Sequence, residues 1–277
     1  GIAAAFNTPL GGIVFAIEEL SRRIEQRSSG LMLAAIVAAG LVSVSAFGNF
    51  SYFGRIHAEA LSWWSLLLPG AFTALACGLL GGLLARLLIA SLTGLPDRFS
   101  AWRRAYPVRF AAACGFGVAL ICVVTQGAAV GGGHHHTQEL LGRAAGDANT
   151  PLIYTWLKFV SSWLSAWSGA PGGLFGPALS IGASVGADVA VLTQSPQHLA
   201  ALIALGMAGF LAAVTQTPIT AMIIVMEMTD GHSMVLSLMA CALVASLLSR
   251  LVTRPLYPTL ADYMVKQLQP TAPAQPA

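Results

Sequence analysis

The residues 169–177, which read GAPGGLFGP, are the part of the chain whose types and spacing most directly suggest chemistry. They form a Gly- and Pro-rich break followed at once by an apolar stretch, so we expect a helix to begin near Phe175. The first N–H groups of a helix lack intrahelical partners and lie at the positive end of its dipole. The amides of Leu174 and Phe175 are therefore predicted to coordinate an anion, with Gly173 allowing close approach. Taken alone, the same Gly and Pro residues could mark only a turn.

Two adjacent acids, Glu18 and Glu19, end a short apolar segment at residues 9–20. Adjacent positions differ by about 100° around a helix, so the two side chains cannot share one face. Glu18 has a counterpart in Glu227 within an internal repeat, which favours a structural role such as pairing with an arginine. Glu19 has none. It is either a functional acid, as ionisable groups inside membrane segments usually are, or an acid that reaches the surface.

Lys158 and Tyr257 are two further polar candidates. Lys158 lies in the apolar stretch 152–168, where an isolated ammonium group is costly. We expect it to face the protein interior or a vestibule, where it would attract anions; a structural ion pair is the alternative. Tyr257 follows the last long apolar stretch, and on its own it would be interpreted as an interfacial aromatic residue.

Two patterns suggest other chemistry but lack the context for it. The histidines 134–136 have no acid or cysteine at an expected chelating spacing, so we predict no metal site. Ser184 lies in GASVG, which fits the GxSxG pattern of hydrolases. That pattern needs a preceding strand. Here it lies in an apolar stretch rich in small residues, which indicates close helix packing. We predict no catalytic residue and no enzyme.

The composition indicates that the solvent of this protein is lipid. Hydrophobic residues make up 56% and charged residues 9% of the chain, against roughly 25% charged residues in soluble domains. The net charge of +3 is too small to suggest nucleic-acid binding. Apolar stretches that could form transmembrane helices occur at about 31–48, 61–92, 108–130, 152–168, 174–193, 199–213 and 233–253.

The segments 9–20 and 217–228 are too short to cross a bilayer. Half-spanning helices must pack inside protein because lipid cannot satisfy their terminal backbone groups. The prediction is an all-α, polytopic membrane bundle with an inverted-topology repeat and broken helices.

Residues 3–20 match residues 212–229 without a gap, and each copy contains a Thr-Pro pair, an apolar half-helix and an acid. Such a repeat is typical of transporters. We predict four segments. Residues 1–29 end the first repeat with a half-helix and a cytoplasmic loop, and 30–62 form a transmembrane helix and an outer loop. Residues 63–254 form the second repeat, and 255–277 form a short helix and a disordered tail. Most of the first repeat is expected upstream of Gly1.

Several motifs occur in one order along the chain: AAFNTPLGGIVFAIEEL near the start, GLFGP at 173–177, TPITAMIIVMEMTD at 217–230, and RPLY at 254–257. Together they resemble the CLC family of chloride channels and chloride/proton antiporters, whose GxFxP signature corresponds to residues 173–177. Two family motifs would precede Gly1. They are the GSGIP loop with its chloride-binding serine and the G(K/R)EGP loop with its gating glutamate.

The resemblance implies roles for individual residues. The hydroxyl of Tyr257 would donate a hydrogen bond to the chloride held by the amides of Leu174 and Phe175. Glu19 would correspond to the internal proton-transfer glutamate of antiporters, where channels usually carry an apolar residue. The family often has a basic residue at the position of Lys158. The family is homodimeric, and the matching contact helices would be at about 9–20, 30–48, 217–228 and 233–250.

The resulting interpretation is part of a prokaryotic chloride/proton antiporter in the bacterial inner membrane. Its transported ligands would be chloride and protons, with no cofactor. A passive chloride channel is the second hypothesis, and a membrane scaffold that transports nothing is the third.

Overall fold

The computed structural model of the protein describes residues 2–20, 26–48, 63–94, 98–142 and 152–268. Every regular element in these ranges is helical, which confirms the all-α prediction. The predicted outer loop at 49–60 and the predicted disordered tail at the C-terminus lie outside the described residues.

The helices are α1 (Ile2–Ala5), α2 (Pro9–Phe15), α3 (Gln26–Phe47), α4 (Trp63–Thr93), α5 (Arg98–Ala105), α6 (Pro107–Val124), α7 (His134–Gly142), α8 (Leu152–Trp167), α9 (Phe175–Leu192), α10 (Leu199–Thr215), α11 (Pro218–Thr229), α12 (Val235–Val252) and α13 (Leu256–Leu268). A π-helical turn at Ala16–Leu20 extends α2, and short 3₁₀ turns precede α10 and α12.

Among the described residues, five helices are long and apolar enough to cross a membrane, and they contain α4, α6, α9, α10 and α12. The protein is therefore an integral membrane protein. These helices differ sharply in how much of their most apolar 18-residue segment is buried by the rest of the described chain. The buried share is 94% for the helix that contains α10 and 11% for α6. Helix α10 is the centre of the bundle, and α6 lies at its edge, where most of its surface is not covered by other described residues.

Helices α9 and α10 touch through their backbones. A Cβ atom added to Gly182 or Gly186 of α9 would clash with the carbonyl oxygens of Gly206 and Leu202 of α10. Glycines at such positions let two helices approach closely, which is a common device in membranes. Ser184, on another face of α9, is buried and donates a hydrogen bond to the carbonyl of Ser180 at 3.1 Å. The interpretation of GASVG as helix packing is confirmed.

The two copies of the internal repeat follow the same backbone path. Each turn before a half-helix contains a left-handed residue, Asn7 with φ 54° and Gln216 with φ 58°. The next residue is a threonine at the N-cap, and a proline then begins the helix, where its missing N–H is not needed. Helices α2 and α11 are half-helices, as predicted, and they pack against each other.

Candidate functional site

The first candidate is the start of α9, where the helix begins at Phe175 as the Gly-Pro pattern predicts. The preceding residue, Leu174, is the N-cap, and no side chain in the described ranges caps this end. The carbonyl of Leu174 accepts the hydrogen bond of Ala178 at 2.9 Å. Pro177 carries no N–H, so the donors at this end are the amides of Leu174, Phe175 and Gly176. This end of the helix has the chemistry of an anion site.

Aromatic rings join this helix start to two other parts of the chain. The ring of Phe15, at the end of α2, makes edge contacts with Phe175 at 5.4 Å and with Tyr257 at 6.2 Å between ring centroids. Tyr257 is the second residue of α13. Two predicted anion ligands thus lie beside one phenylalanine. Sequence reasoning missed Phe15, although it stands within the motif shared with the family.

Glu19 lies in the π-helical turn that follows α2. Its carboxylate is near enough to Tyr257 for the two groups to interact electrostatically. The side chain is neither fully buried nor fully exposed. The predicted proton-transfer acid therefore lies within electrostatic range of a predicted anion ligand, in a π-helical turn of the kind that is frequent at functional sites.

Glu18 points to a different element from Glu19. Its carboxylate accepts hydrogen bonds from the first turn of α11, from the amides of Ile219 at 3.3 Å and Thr220 at 2.7 Å and from the Thr220 hydroxyl at 2.7 Å. In return, the carboxylate of Glu227 on α11 accepts the amides of Leu10 at 3.1 Å and Gly11 at 2.7 Å. The positive end of the facing half-helix thus supplies donors to Glu18, whereas the expected arginine partner stays a prediction, because the side chains of Arg22, Arg23 and Arg27 lie outside the described residues.

Lys158 is buried, with 1% of its surface exposed. Its ammonium group donates to the carbonyls of Ala129 at 2.8 Å and Gly131 at 2.6 Å. These residues belong to the loop between α6 and α7, and Gly132 of that loop packs on Gly176 in the first turn of α9. The predicted interior location of Lys158 is confirmed. Its effect on anions stays a prediction.

The three histidines at 134–136 form the start of α7. His135 and Glu139 are one turn apart, with 3.1 Å between Nδ1 and Oε1. The expectation that no acid stands at a chelating spacing is therefore wrong, because i and i+4 residues meet on a helix. Within the part of the chain that the structure describes, no group of three His, Cys, Asp or Glu side chains is arranged to hold a metal ion. His136 stacks on Tyr154 at 3.7 Å, which gives it a packing role.

The family model described as "Voltage gated chloride channel" matches residues 1–250. The chain is similar to an H(+)/Cl(-) exchange transporter, ClcA, of Cronobacter sakazakii, with 32% identity over 96% of this chain and 58% of that protein. It is also similar to a putative chloride channel protein, ClcB-like, of Ralstonia nicotianae, with 32% identity over 35% of this chain and 21% of that protein. The chain thus spans less than two thirds of the length of these relatives.

Two solved structures have the same fold. The crystal structure of a slow cyanobacterial Cl⁻/H⁺ antiporter superposes with a TM-score of 0.78 at 23% identity, over 96% of this chain and 63% of that one. A CLC-type fluoride/proton antiporter superposes with a TM-score of 0.72 at 22% identity, over 93% of this chain and 62% of that one. At such identities the likeness establishes the fold alone.

Proposed function

The chain belongs to the CLC family of voltage-gated chloride channels, and from this premise we propose that its protein exchanges chloride for protons across a membrane. The observation that carries the proposal is the meeting of three elements at Phe15. The ring of Phe15 contacts the ring of Phe175 at the start of α9 and the ring of Tyr257, and the carboxylate of Glu19 is close enough to Tyr257 to interact with it electrostatically. An anion site beside a titratable acid is what coupled movement of an anion and a proton requires.

In this proposal, chloride is held by the amides of Leu174 and Phe175 and by the hydroxyl of Tyr257. All are neutral donors, which suits transport because a bound ion must also leave. A Cβ atom on Gly173 would meet nothing within 4 Å. Packing within the described residues therefore does not require glycine there, whereas close approach of an ion to the backbone does favour it.

We further propose that Glu19 transfers the proton on the inner side. The exchange activity named for the ClcA relative supports an antiporter, and that relative matches almost the whole chain. A passive channel is the second candidate function. The name of the ClcB-like relative favours it, over a much smaller part of the chain.

Lys158 is proposed to raise the electrostatic potential for anions approaching the start of α9. Its ammonium group is held by the loop that packs on Gly176, so its position relative to that helix end is fixed.

The proposed assembly is a homodimer in the bacterial inner membrane. The half-helices expose large apolar side chains, Leu10 at 54%, Ile17 at 54% and Ile219 at 48%. Lipid is a poor cover for half-helices, because their terminal backbone groups need polar partners. A second copy of the chain would cover them, together with the exposed face of α12, in agreement with the contact helices expected from the family.

The test is reconstitution of the full-length protein in liposomes that carry a chloride gradient, with simultaneous recording of chloride and proton movement. An antiporter drives protons uphill as chloride flows. Chloride flux without proton movement would favour the channel, and the absence of both would leave the scaffold hypothesis.

A further inference from the structure

The most basic part of the described chain is an elbow formed by α5 and the first turn of α6, here called the basic elbow (residues 98–110). It carries Arg98, Arg103, Arg104 and Arg109, which are four of the 14 Lys and Arg residues of the chain. Asp97 precedes it, outside the described residues, and no Asp or Glu then occurs in the sequence before Glu139. We propose that the basic elbow binds the phosphate headgroup of an anionic phospholipid on the cytoplasmic side of the membrane.

Three of the four arginines, Arg98, Arg104 and Arg109, are exposed. They alternate with exposed aromatic side chains, Phe99 at 58%, Trp102 at 38% and Tyr106 at 53%. Aromatic residues prefer the level of the headgroups, and arginines there attract anionic lipids. The combination of both types on one elbow fits a lipid, which offers a phosphate and an acyl boundary together. A soluble phosphate would use only the arginines.

The location of the elbow brings it to the lipid surface. Helix α6 begins at Pro107, and only 11% of its 18-residue apolar segment is buried by the rest of the described chain. It therefore runs along the edge of the bundle. Val108 in its first turn is 80% exposed. An elbow at the start of such an uncovered apolar helix is placed where a lipid-facing helix would reach the membrane surface, and its arginines favour the cytoplasmic side of the membrane.

The elbow is held rigidly by its remaining arginine and by ring contacts. A guanidinium nitrogen of Arg103 donates to the carbonyl of Ser91 at 2.7 Å, and the indole of Trp163 donates to the Ser91 hydroxyl at 2.8 Å. The rings of Trp102 and Phe110 make an edge contact at 5.3 Å. A fixed backbone presents the exposed arginines without a large ordering cost on binding.

The elbow also contacts the end of α8, just before the Gly-rich break. Phe99 lies 6.0 Å and Phe110 lies 5.1 Å from Trp167 between ring centroids. A Cβ atom on Gly169 would lie 3.6 Å from the guanidinium of Arg103. Lipid bound at the elbow would thus stabilise the position of the segment between the end of α8 and Gly173. This link to transport rests on the proposed function, whereas the lipid site itself does not.

The site is tested by titrating the purified full-length protein with phosphatidylglycerol in a neutral detergent and counting bound lipids by native mass spectrometry. The variant is Arg104→Gln with Arg109→Gln, and the matched control is Arg250→Gln with Arg254→Gln, two exposed arginines of which one lies in the last turn of α12 and the other two residues beyond that helix. Each elbow arginine is expected to raise the affinity for phosphatidylglycerol about fivefold, so the double variant should bind this lipid about 25-fold more weakly than the parent. The control should bind like the parent.

Phosphatidylcholine and free glycerol phosphate are the comparison ligands. Equal weakening by both double variants, no preference for phosphatidylglycerol over phosphatidylcholine, or binding of free glycerol phosphate as strong as that of the lipid would each overturn the site. Thermal unfolding without lipid checks that the variant is folded. A second variant, Trp102→Ala, keeps every charge and should also weaken lipid binding while leaving glycerol phosphate unaffected.

The link to transport is tested separately in vesicles with and without phosphatidylglycerol. The parent should transport chloride faster with the anionic lipid, and the elbow variant should show no such dependence. A lipid dependence that persists in the variant would overturn the link. If the protein moves no chloride in any vesicle, the proposed function fails, and the binding titration still decides the site.

Discussion

Glu18 and Glu227 exchange helix caps: the carboxylate of each accepts the first amides of the half-helix that carries the other. Each bond joins a charged acceptor to the positive end of a helix dipole, which makes it stronger than a neutral hydrogen bond. Because the two acids are equivalent in the internal repeat, the same contact is made twice in opposite directions. The half-helices α2 and α11 are thereby fastened to each other at both ends of their interface.

Glu227→Gln is expected to destabilise the protein by about 1.5–3 kcal/mol, since the carboxylate accepts two backbone hydrogen bonds. Glu18→Gln should cost a similar amount, and Thr220→Val less, because only the hydroxyl donor is removed. Thermal unfolding in detergent measures all three. Unchanged stability of Glu227→Gln would contradict the capping role.

Tyr257→Phe is expected to weaken halide binding about tenfold or more, because one hydrogen bond to a charged partner is lost. The ring and its contact with Phe15 remain, so the fold should be unaffected. Anomalous scattering from bromide-soaked crystals measures the occupancy near Leu174 and Phe175. Tyr257→Ala removes the ring contact as well and should lower occupancy further. Bromide bound only elsewhere would refute the site.

Glu19→Gln preserves the shape of the side chain and removes its titration. Proton movement driven by a chloride gradient should vanish in liposomes, and chloride flux should persist. Glu18 is the natural comparison, because it is the neighbouring acid with a capping role, and its replacement should affect stability first. Undiminished proton pumping by Glu19→Gln would show that another group carries the proton.

Lys158→Met tests the predicted effect of the buried ammonium group on anions. We expect slower chloride flux, with the greatest loss at low salt, because electrostatic attraction is less screened there. Lys158→Arg keeps the charge and should restore part of the flux. A loss that is independent of salt and appears equally in both variants would instead indicate a packing role for the loop contacts at Ala129 and Gly131.

Gly182→Ala should destabilise the bundle by about 1–3 kcal/mol, since the added methyl group clashes with the backbone of α10. Gly115→Ala is the control. It lies on α6, where a Cβ atom would meet nothing within 4 Å. There the change should be neutral or slightly stabilising, because alanine favours the helix. Equal loss of stability at both positions would argue against backbone contact between α9 and α10.

Local patterns predicted the elements well, and long-range partners poorly. The start of α9 at Phe175 and the half-helices α2 and α11 follow from nearby Gly and Pro residues, whose backbone limits act within a few positions. The partners of Glu18 are about 200 residues away, and no local pattern specifies them. The contact of Phe15 with both predicted anion ligands depends in the same way on tertiary packing.

The glycine contact between α9 and α10 also limits how this protein can move. Where carbonyl oxygens of one helix fill the places of missing side chains on the other, sliding or rotation would create immediate clashes. These two helices must therefore travel as one rigid body. Any switch of access between the two sides of the membrane has to come from elements that pack less tightly on this unit, such as the turn at Ala16–Leu20 or the start of α13. The start of α9, where we propose that the anion binds, would then stay in place during the proposed exchange.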